Sequence, residues 1–284
     1  MCRNTLSPSH RSGALRVALI ALAFITGCDA AVMEGAPVSL RFQPLVAGSP
    51  AVCGAPVHVP SASIQMTDLR FYVHDVRYIG ADGTERPAAL VPDGRWQTAD
   101  VALMDFEDGT GPCENGSPEI NDALVLEPPA GPVTGVRFRI GVPFAQNHDN
   151  PATNPSPLNV TAMSWGWMGG HKFLRLEAEV DGFDRVLHLA STGCRGTIGD
   201  IRGCERGNRP EIEVRWTGPV PEILALRVDA LLGISTDGAA DVDAADVTCM
   251  STRSDAACLP AFRALGLDLE SGEPLWPSTA FEGM

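Results

Sequence analysis

Ser63-Ile-Gln-Met-Thr-Asp-Leu-Arg-Phe-Tyr-Val-His-Asp-Val-Arg-Tyr-Ile79 is a long segment rich in β-branched and aromatic residues. Such residues favour a pleated, half-buried backbone, so the segment predicts a strand. Ala81-Asp-Gly-Thr84 follows it and is typical of a turn that ends a strand. Regular alternation would place His74 on the face that also carries Tyr72 and Tyr78.

Shorter alternating segments occur on both sides of this strand, with turn residues between them. The chain has 29 glycines and 23 prolines, which is typical of many turns and short strands. Further strands are predicted at residues 38–42, 133–140, 173–180, 185–190, 211–216 and 223–230. One short helix is expected at residues 259–265, where Gly266 would end it. The predicted fold is therefore all-β, a sandwich or barrel-like antiparallel domain with long loops.

Met163-Ser-Trp-Gly-Trp-Met-Gly-Gly-His-Lys-Phe173 concentrates residues that are scarce elsewhere, including two of the five tryptophans. If the segment is extended, Trp165 and Trp167 share a face, roughly 7 Å apart. Gly166 would leave the opposite side open to a ligand or another backbone. One interpretation is a tryptophan pair that fills a β core. The other is a site for a soft metal such as copper, formed by indole, thioether and imidazole groups. Its candidate residues are Trp165, Trp167, Met163, Met168 and His171.

The N-terminal segment has the features of an export signal. Residues 1–27 contain three arginines, no acidic residue and the short apolar run Val17-Ala-Leu-Ile-Ala-Leu-Ala-Phe-Ile25. Ile25-Thr-Gly-Cys28 resembles a bacterial lipoprotein box, which implies cleavage before Cys28 and a lipid on its sulfur. We therefore expect a signal peptide at 1–27, a tether at 28–37 and one β domain at 38–284. An ordinary signal peptide, cleaved nearby, is the alternative.

Charge and motifs exclude several functional classes. The chain has 35 acidic and 21 basic residues, a net charge of −14, and losing the three signal-peptide arginines would lower this to −17. Nucleic-acid partners require basic surface, so none is expected. No second apolar run approaches membrane-spanning length. No nucleophile elbow, zinc-protease motif or phosphate-binding loop is present, so we do not expect an enzyme.

Six cysteines remain in the body once Cys2 and Cys28 are set aside. An exported protein with six cysteines favours three disulfides, of which fifteen pairings are possible. The simplest pairing joins the two close pairs locally and leaves the remaining two together: Cys194 with Cys204, Cys249 with Cys258, and Cys53 with Cys113. A zinc site is the competing interpretation, but the chain has no Cys-x-x-Cys motif.

Four histidines of the body lie where a metal site is conceivable. His74 and His188 are predicted on strands, His148 in a loop that leaves a strand, and His171 at the end of the tryptophan segment. His58 follows Cys53 in a proline-rich loop and is expected on the surface. A single strand histidine is more often a hydrogen-bonded core residue than a ligand. Four histidines near a Trp-Gly-Trp segment in an exported protein make a metal site more plausible.

Several segments, in order across residues 38–267, resemble the metallo-mystery pair four-Cys family, also called MbnP-like proteins. They are Asp68-Leu-Arg-Phe-Tyr-Val-His-Asp-Val76, Leu103-Met-Asp-Phe-Glu-Asp-Gly-Thr-Gly-Pro-Cys113, Gly141-Val-Pro-Phe-Ala-Gln-Asn-His148, Pro157-Leu-Asn159, Met163-Ser-Trp-Gly-Trp167 with Lys172-Phe173, His188-Leu-Ala-Ser-Thr-Gly-Cys194, and the region of Cys249 and Cys258. The resemblance implies an exported copper-associated protein. Related methanotroph copper proteins bind Cu(I) through two histidines and a kynurenine made by oxidising tryptophan, and a dihaem c-type peroxidase-like partner performs that oxidation.

Carried onto this sequence, the resemblance implies that His74 and His148 bind copper, Cu(I) or Cu(II), with His188 as a third candidate. Trp165 or Trp167 becomes the candidate kynurenine. The chain departs from the family at His171, where an aromatic residue, usually tyrosine, is expected. His171 is therefore a further candidate ligand. Copper binding would weaken below roughly pH 6, as imidazoles protonate.

Two acidic loops are candidate calcium sites. Asp105-Phe-Glu-Asp108 and Asp241-Val-Asp-Ala-Ala-Asp246 offer oxygen ligands, but neither has the spacing of an EF-hand. Solvated acidic loops are the favoured interpretation. The predicted function is thus a lipid-anchored copper-binding protein of the periplasm or cell surface, for acquisition, storage or delivery. The alternative is a β-sandwich scaffold or interaction lipoprotein without a metal.

Overall fold

The structure is a computed structural model that describes residues 35–237 and 244–284. These residues belong to one unit, Gly35–Met284. The signal peptide, Cys28 and most of the tether that the sequence predicts lie outside the described residues. Within the described ranges, no helix is long and apolar enough to cross a membrane.

Strands dominate the described residues, which confirms the all-β prediction. The strands are β1 (Val38–Val46), β2 (Ser49–Pro50), β3 (Pro56–Val59), β4 (Ala62–Gly80), β5 (Glu85–Pro87), β6 (Val101–Asp105), β7 (Ala123–Leu126), β8 (Val133–Ile140), β9 (Leu174–Val180), β10 (Phe183–Leu189), β11 (Thr192–Thr197), β12 (Asp200–Arg206), β13 (Glu211–Arg215), β14 (Ile223–Arg227), β15 (Val247–Cys249) and β16 (Phe281–Gly283). The helices are α1 (Phe144–Asn147), α2 (Val228–Leu232) and α3 (Leu259–Ala264), with 3₁₀ turns at Thr161–Met163 and Ala256–Cys258.

The strands form two packed sheets and a separate hairpin. The larger sheet has the order β13-β8-β4-β9-β10-β15, and β3, β5 and β6 also pair with β4. The smaller sheet has the order β16-β14-β1-β2, with β7 paired to β1. Most pairs are antiparallel, whereas β1–β14 and β10–β15 are parallel. Hairpin β11–β12 pairs only with itself among the described strands.

Two β-bulges in β4 decide which side chains face the core. The register of β4 against β9 shifts between Met66 and Asp68, and its register against β8 shifts between His74 and Arg77. Because one extra residue reverses the alternation of side chains, the even-numbered residues of the intervening segment face away from the core. These residues are Asp68, Arg70, Tyr72 and His74.

The second bulge corrects one prediction from regular alternation. His74 lies opposite Arg139, whereas Tyr78 lies opposite Val136. Arg139 and Val136 point to opposite faces of β8, so His74 and Tyr78 lie on opposite faces of β4. The physical reason is the bulge, at which Asp75 has a φ of 48°.

Aromatic side chains join the two sheets. Phe42 of β1 meets Phe71 of β4 and Phe138 of β8 edge to face, at ring-centroid distances of 5.4 and 5.8 Å. Phe281 of β16 contacts the same three rings. All four are buried. This packing joins the two sheets around one core, in agreement with the predicted sandwich or barrel-like domain.

The three predicted disulfides are confirmed, and one of the three helices was predicted. Cys53–Cys113, Cys194–Cys204 and Cys249–Cys258 are bonded. Helix α3 ends before Gly266, whose φ is +76°, as expected. The prediction of a strand to residue 230 was wrong, because the strand ends at Arg227 and α2 follows. Helices α1 and α2 have four and five residues, too few to show helical periodicity in the sequence.

The phenylalanine cluster should be the main stabilising contact between the sheets. We expect Phe42→Ala to lower the free energy of unfolding by about 3–5 kcal/mol, since it removes a buried ring that contacts three others. Urea unfolding followed by circular dichroism measures the loss. Phe144→Ala is the matched control, because Phe144 is 43% exposed and should change stability by less than about 0.5 kcal/mol. Equal losses for the two variants would contradict this role.

Candidate metal centre

The face of the larger sheet that points away from the core carries a row of charged side chains covered by loops. Arg70 of β4, Arg175 of β9 and His188 of β10 are in register, so their side chains share this face. Asp68 forms an ion pair with Arg70, and its Oδ2 lies 3.0 Å from Arg175 Nε. All four side chains are buried. Burying these charges is tolerable because each has a partner of opposite sign or a hydrogen bond.

Two carboxyl groups next to this row correct an expectation. Asp105 and Glu107, predicted in a solvated acidic loop, are both buried. Burial raises the pKa of Asp105 to about 7 and also raises the pKa of Glu107. The loop is drawn inward because Arg70 lies beneath it, where Arg70 also donates to the Asn115 carbonyl. Within the described residues, no three acidic side chains bring their oxygens within 4.8 Å of one another.

His188 ends the charged row with one nitrogen engaged and one without a partner. Its Nε2 lies 2.7 Å from Glu177 Oε1, while its buried Nδ1 has no hydrogen-bond partner. Burial opposes ionisation of Glu177, but the hydrogen bonds from His188 and Arg175 outweigh it and lower the Glu177 pKa to about 2. The Trp165 ring lies 6.1 Å from the His188 ring, centroid to centroid.

The tryptophan segment is a tight turn and not an extended strand. Ser164 and His171 form an isolated β-bridge, Trp165 N donates to the Gly170 carbonyl, and Gly170 N donates to the Gly166 carbonyl. Gly166 and Gly170 both have positive φ, which glycine adopts without strain. Because the segment is not extended, Trp165 and Trp167 do not share a strand face, as an extended segment would have required. Trp165 packs toward Gly169 and His188, while the carbonyl of Trp167 meets His148.

His148 is held in a defined tautomer at the end of α1. Its Nδ1 lies 2.9 Å from the Trp167 carbonyl oxygen, so Nδ1 carries the proton. Its Nε2 is then an acceptor, and Asn147 Nδ2 lies 3.1 Å away as the donor. Burial is the main cause of a lowered His148 pKa, and the nearby cation Arg209 contributes. The imidazole is therefore neutral, with Nε2 as the nitrogen that a metal would take.

His171 has no nitrogen available for a metal. Its ring is fully buried, with Nδ1 2.9 Å from the Asn147 carbonyl and Nε2 3.0 Å from the Leu158 carbonyl. Tyr72 meets the ring edge to face at 5.8 Å. His171 thus links two loops across the sheet face, in the place where the family resemblance implied an aromatic residue.

His74 is buried with its Nε2 unpartnered. Burial lowers the pKa of His74 to about 4, and the cations Arg209 and Arg139 act in the same direction. A neutral imidazole with a buried nitrogen that has no hydrogen-bond partner is a suitable ligand for copper. Because the ring stays neutral well below pH 6, acid should weaken a metal bond here at lower pH than the sequence implied.

His74 and His148 lie at the same end of the sheet face. Arg209 acts on the pKa of both. In addition, Gln146 Nε2 of α1 donates to Asp100 Oδ2, next to Val101, the residue paired with His74. Helix α1 therefore brings His148 toward the part of β4 that carries His74.

His188 lies in a different part of the same face. His74 is four residues beyond Arg70, and His188 is two strands away from Arg70. At about 3.3 Å per residue and 4.8 Å per strand, the Cα atoms of His74 and His188 are roughly 16 Å apart. The candidate residues thus form two groups, His74 with His148 and Trp167, and His188 with Trp165 and Glu177.

One group of three ligand atoms within 4.8 Å of one another exists in the described residues. It consists of His148 and the sulfurs of Cys194 and Cys204. The two sulfurs are bonded to each other, and a disulfide sulfur is a poor ligand compared with a thiolate. A site formed by two histidines and one tryptophan-derived group would not require a cysteine ligand.

The two methionines differ in their surroundings. Met163 is fully buried, whereas Met168 is 42% exposed. The backbone carbonyl of Met163 accepts from Lys172 N. Burial lowers the Lys172 pKa to about 8, and its ammonium donates to the Ala162 carbonyl beside Met163.

Sequence reasoning did not find Asn147, Arg209 or Glu177. Asn147 is fully buried and contacts His148, His171 and Ser191. Gly170 lies against it, and a Cβ at Gly170 would come within 2.7 Å of Asn147 Nδ2. The available signal was the position of Asn147 directly before His148, but asparagine is common in loops and its role depends on the fold.

Comparisons with known proteins point in one direction. The MbnP sequence family matches residues 35–251 of the chain. Among solved structures, MbnP from Methylosinus trichosporium is 28% identical, with a TM-score of 0.71, and the match covers 87% of this chain and 97% of that one. No curated protein sequence matches the chain.

The neutral state of His74 should make stability depend on pH. The unfolded chain protonates His74 near its ordinary pKa of 6.5, whereas the folded protein does so only near 4. Stability from this residue is therefore present above pH 6.5 and lost as pH falls toward 4, by about 3 kcal/mol in total. We expect the stability difference between wild type and His74→Gln to shrink by this amount between pH 7 and pH 4 in urea unfolding. His58→Gln is the control, because His58 is exposed. A constant difference between wild type and His74→Gln would contradict the burial of a neutral ring.

Proposed function

The chain belongs to the MbnP family, and we propose that it is an exported, lipid-anchored copper-binding protein that acquires, stores or delivers copper. We place the ion between His74 and His148, with a tryptophan-derived group as the remaining ligand. No catalytic role is proposed, so copper is its cargo.

The observation that carries this proposal is the pair of neutral imidazoles at one end of the sheet face. His74 Nε2 is buried without a partner, and His148 Nε2 is an acceptor that faces the Asn147 amide. Neutral imidazole nitrogens suit copper, whereas hard cations such as calcium prefer oxygen. The Trp167 carbonyl accepts from His148 Nδ1 and so orients the ring, and copper at Nε2 would take the lone pair that otherwise accepts from Asn147 Nδ2.

Trp167 is the tryptophan that we assign to this site. Its carbonyl is hydrogen bonded to His148 Nδ1, whereas Trp165 packs against His188 in the other group. An unmodified indole offers no lone-pair nitrogen, and oxidation to kynurenine would add an aromatic amine. The oxidation needs an external oxidant, and the family resemblance supports a dihaem c-type peroxidase-like partner for that step.

The N-terminal sequence and the disulfides support export, the second part of the proposal. The run at residues 17–25 and the following Thr-Gly-Cys28 support a lipidated cysteine, which would hold the protein at a membrane in the periplasm or at the cell surface. The three disulfides fit an oxidising compartment. The net negative charge would keep the body away from anionic lipid.

Copper titration of single variants tests the ligand assignment. We expect His74→Gln and His148→Gln to weaken Cu(I) binding by roughly 100-fold, because each removes one of two imidazole ligands. Affinity is measured without oxygen, by competition with a chromogenic Cu(I) chelator, on oxidised protein. His188→Gln and His58→Gln are matched histidine controls and should keep wild-type affinity. Loss of affinity in His188→Gln alone would move the site to the Trp165 group. Absence of copper binding by the wild type would leave a scaffold lipoprotein.

Mass spectrometry of protein purified from its own source tests the tryptophan assignment. Conversion of tryptophan to kynurenine exchanges one carbon for one oxygen, a gain of about 4 Da. We expect this shift on Trp167 and not on Trp165, as fragment ions of the peptide that contains both can show. The same protein made without the partner is the control and should lack the shift. A shift on Trp165 would contradict our assignment of Trp167, and two unmodified tryptophans would remove kynurenine from the site.

A further inference from the structure

The Cys194–Cys204 disulfide lies directly beside a candidate copper ligand. Cys204 Sγ is 3.5 Å from His148 Nε2, and both sulfurs belong to the group of ligand atoms within 4.8 Å. The two cysteines face each other across β11 and β12. No other His, Cys, Asp or Glu side chain in the described ranges completes such a group.

This disulfide is also the most accessible of the three. Cys194 and Cys204 are both partly exposed, whereas the other two disulfides are buried. A surface depression lined by Phe144, Asp149 and Ile201 borders His148, the residue that the disulfide contacts. Attack by an external thiolate requires access to a sulfur atom, so a reductant should reach this disulfide first.

The hairpin is anchored without its disulfide. Arg206, at the base of β12, donates to the carbonyls of Ser251 and Leu269, and its guanidinium lies over the Phe262 ring. Asn208 Nδ2 donates to the Ala190 carbonyl at 2.7 Å. These contacts hold both ends of the hairpin to the domain, so reduction would leave the two cysteines near His148.

We propose that the Cys194–Cys204 disulfide is a reducible switch, and that its reduced form binds Cu(I) through Cys194, Cys204 and His148. A dithiol donates two electrons and two protons, its own disulfide forms, and the Cys194–Cys204 bond opens to two thiols. Cu(I) then displaces both thiol protons and takes two thiolates and the His148 Nε2. Thiolate is the ligand type that soft Cu(I) prefers. With metal–ligand bonds of about 2.0–2.3 Å, the three atoms need only side-chain rotation to surround one ion.

This inference goes beyond the copper site proposed above. It shares His148 with that site but requires neither His74 nor Trp167. The oxidised protein would hold copper through histidine, and the reduced protein would hold it more tightly through sulfur. The oxidation state of the hairpin would thus decide how readily the protein releases copper.

The test compares Cu(I) affinity before and after mild reduction of the intact domain by dithiothreitol, which is removed before titration without oxygen. Alkylation and peptide mapping should show free thiols at Cys194 and Cys204 and intact bonds elsewhere. We expect reduced wild type to bind Cu(I) on the order of 100-fold more tightly than oxidised wild type, with a thiolate-to-copper charge-transfer band. The double variant Cys194→Ser, Cys204→Ser should show no gain and no such band.

Two histidine variants separate this proposal from the previous one. In the reduced protein, His148→Gln should weaken binding by roughly 10-fold or more, whereas reduced His74→Gln should bind Cu(I) as tightly as reduced wild type. Circular dichroism confirms that each variant is folded. Equal affinity of oxidised and reduced wild type would overturn the proposal, as would a first cleavage at another disulfide. Failure of the oxidised protein to bind copper would contradict the two-histidine site and leave the site of the reduced protein unaffected.

Discussion

The two bulges of β4 are the constraint on which the rest of the site depends. Without the first, even-numbered residues would continue toward the core behind Ile64 and Met66, and Arg70 would enter the phenylalanine cluster. An unpaired charge there would cost several kcal/mol. With it, Leu69 and Phe71 fill the core, while Arg70 and His74 move to the outer face. The middle of β4 is buried on both faces. Its outer face therefore needs a second layer, and long loops supply that layer.

The loops of this second layer have little regular structure, so covalent bonds and side-chain hydrogen bonds hold them. Cys53–Cys113 ties the loop above Arg70 to the segment between β2 and β3, next to Met66 at the first bulge. Asn147 and His171 connect α1 to the tryptophan turn and the loop at Leu158. A disulfide limits the freedom of the unfolded chain, and a buried amide fixes one arrangement of the folded one. The tryptophan turn that Asn147 and His171 hold carries the Trp167 carbonyl, which fixes the His148 ring although His148 lies in a loop.

Strand positions and disulfide pairing could be predicted from the sequence because both are local signals. Residues 133–140 alternate within their own strand, and Cys249 lies nine residues from Cys258. Which face His74 occupies could not be predicted, since a bulge is a property of two paired strands and not of one sequence. The burial of Asp105 and Glu107 depends on Arg70 in a distant segment, and the turn at Trp165 depends on Asn147 against Gly170. Both follow from contacts between segments that are far apart in the chain.

The charges around His74 and His148 bear on which ion the site would hold. Arg209 lies near both rings, its guanidinium stacks on Phe173 and it donates to the Val142 carbonyl, so it cannot move away readily. Burial lowers the Arg209 pKa to about 10, which still leaves it cationic at neutral pH. Coulomb repulsion grows with the charge of the bound ion, so a divalent ion would be repelled about twice as strongly as Cu(I) at the same position. The ligands proposed for this site, two neutral imidazoles and a kynurenine amine, would add no negative charge to offset that repulsion, and neither does the adjacent disulfide. Reduction of Cys194–Cys204 would add it, because two thiolates neutralise both the ion and the nearby guanidinium, and this electrostatic gain is a second reason for tighter binding in the reduced state.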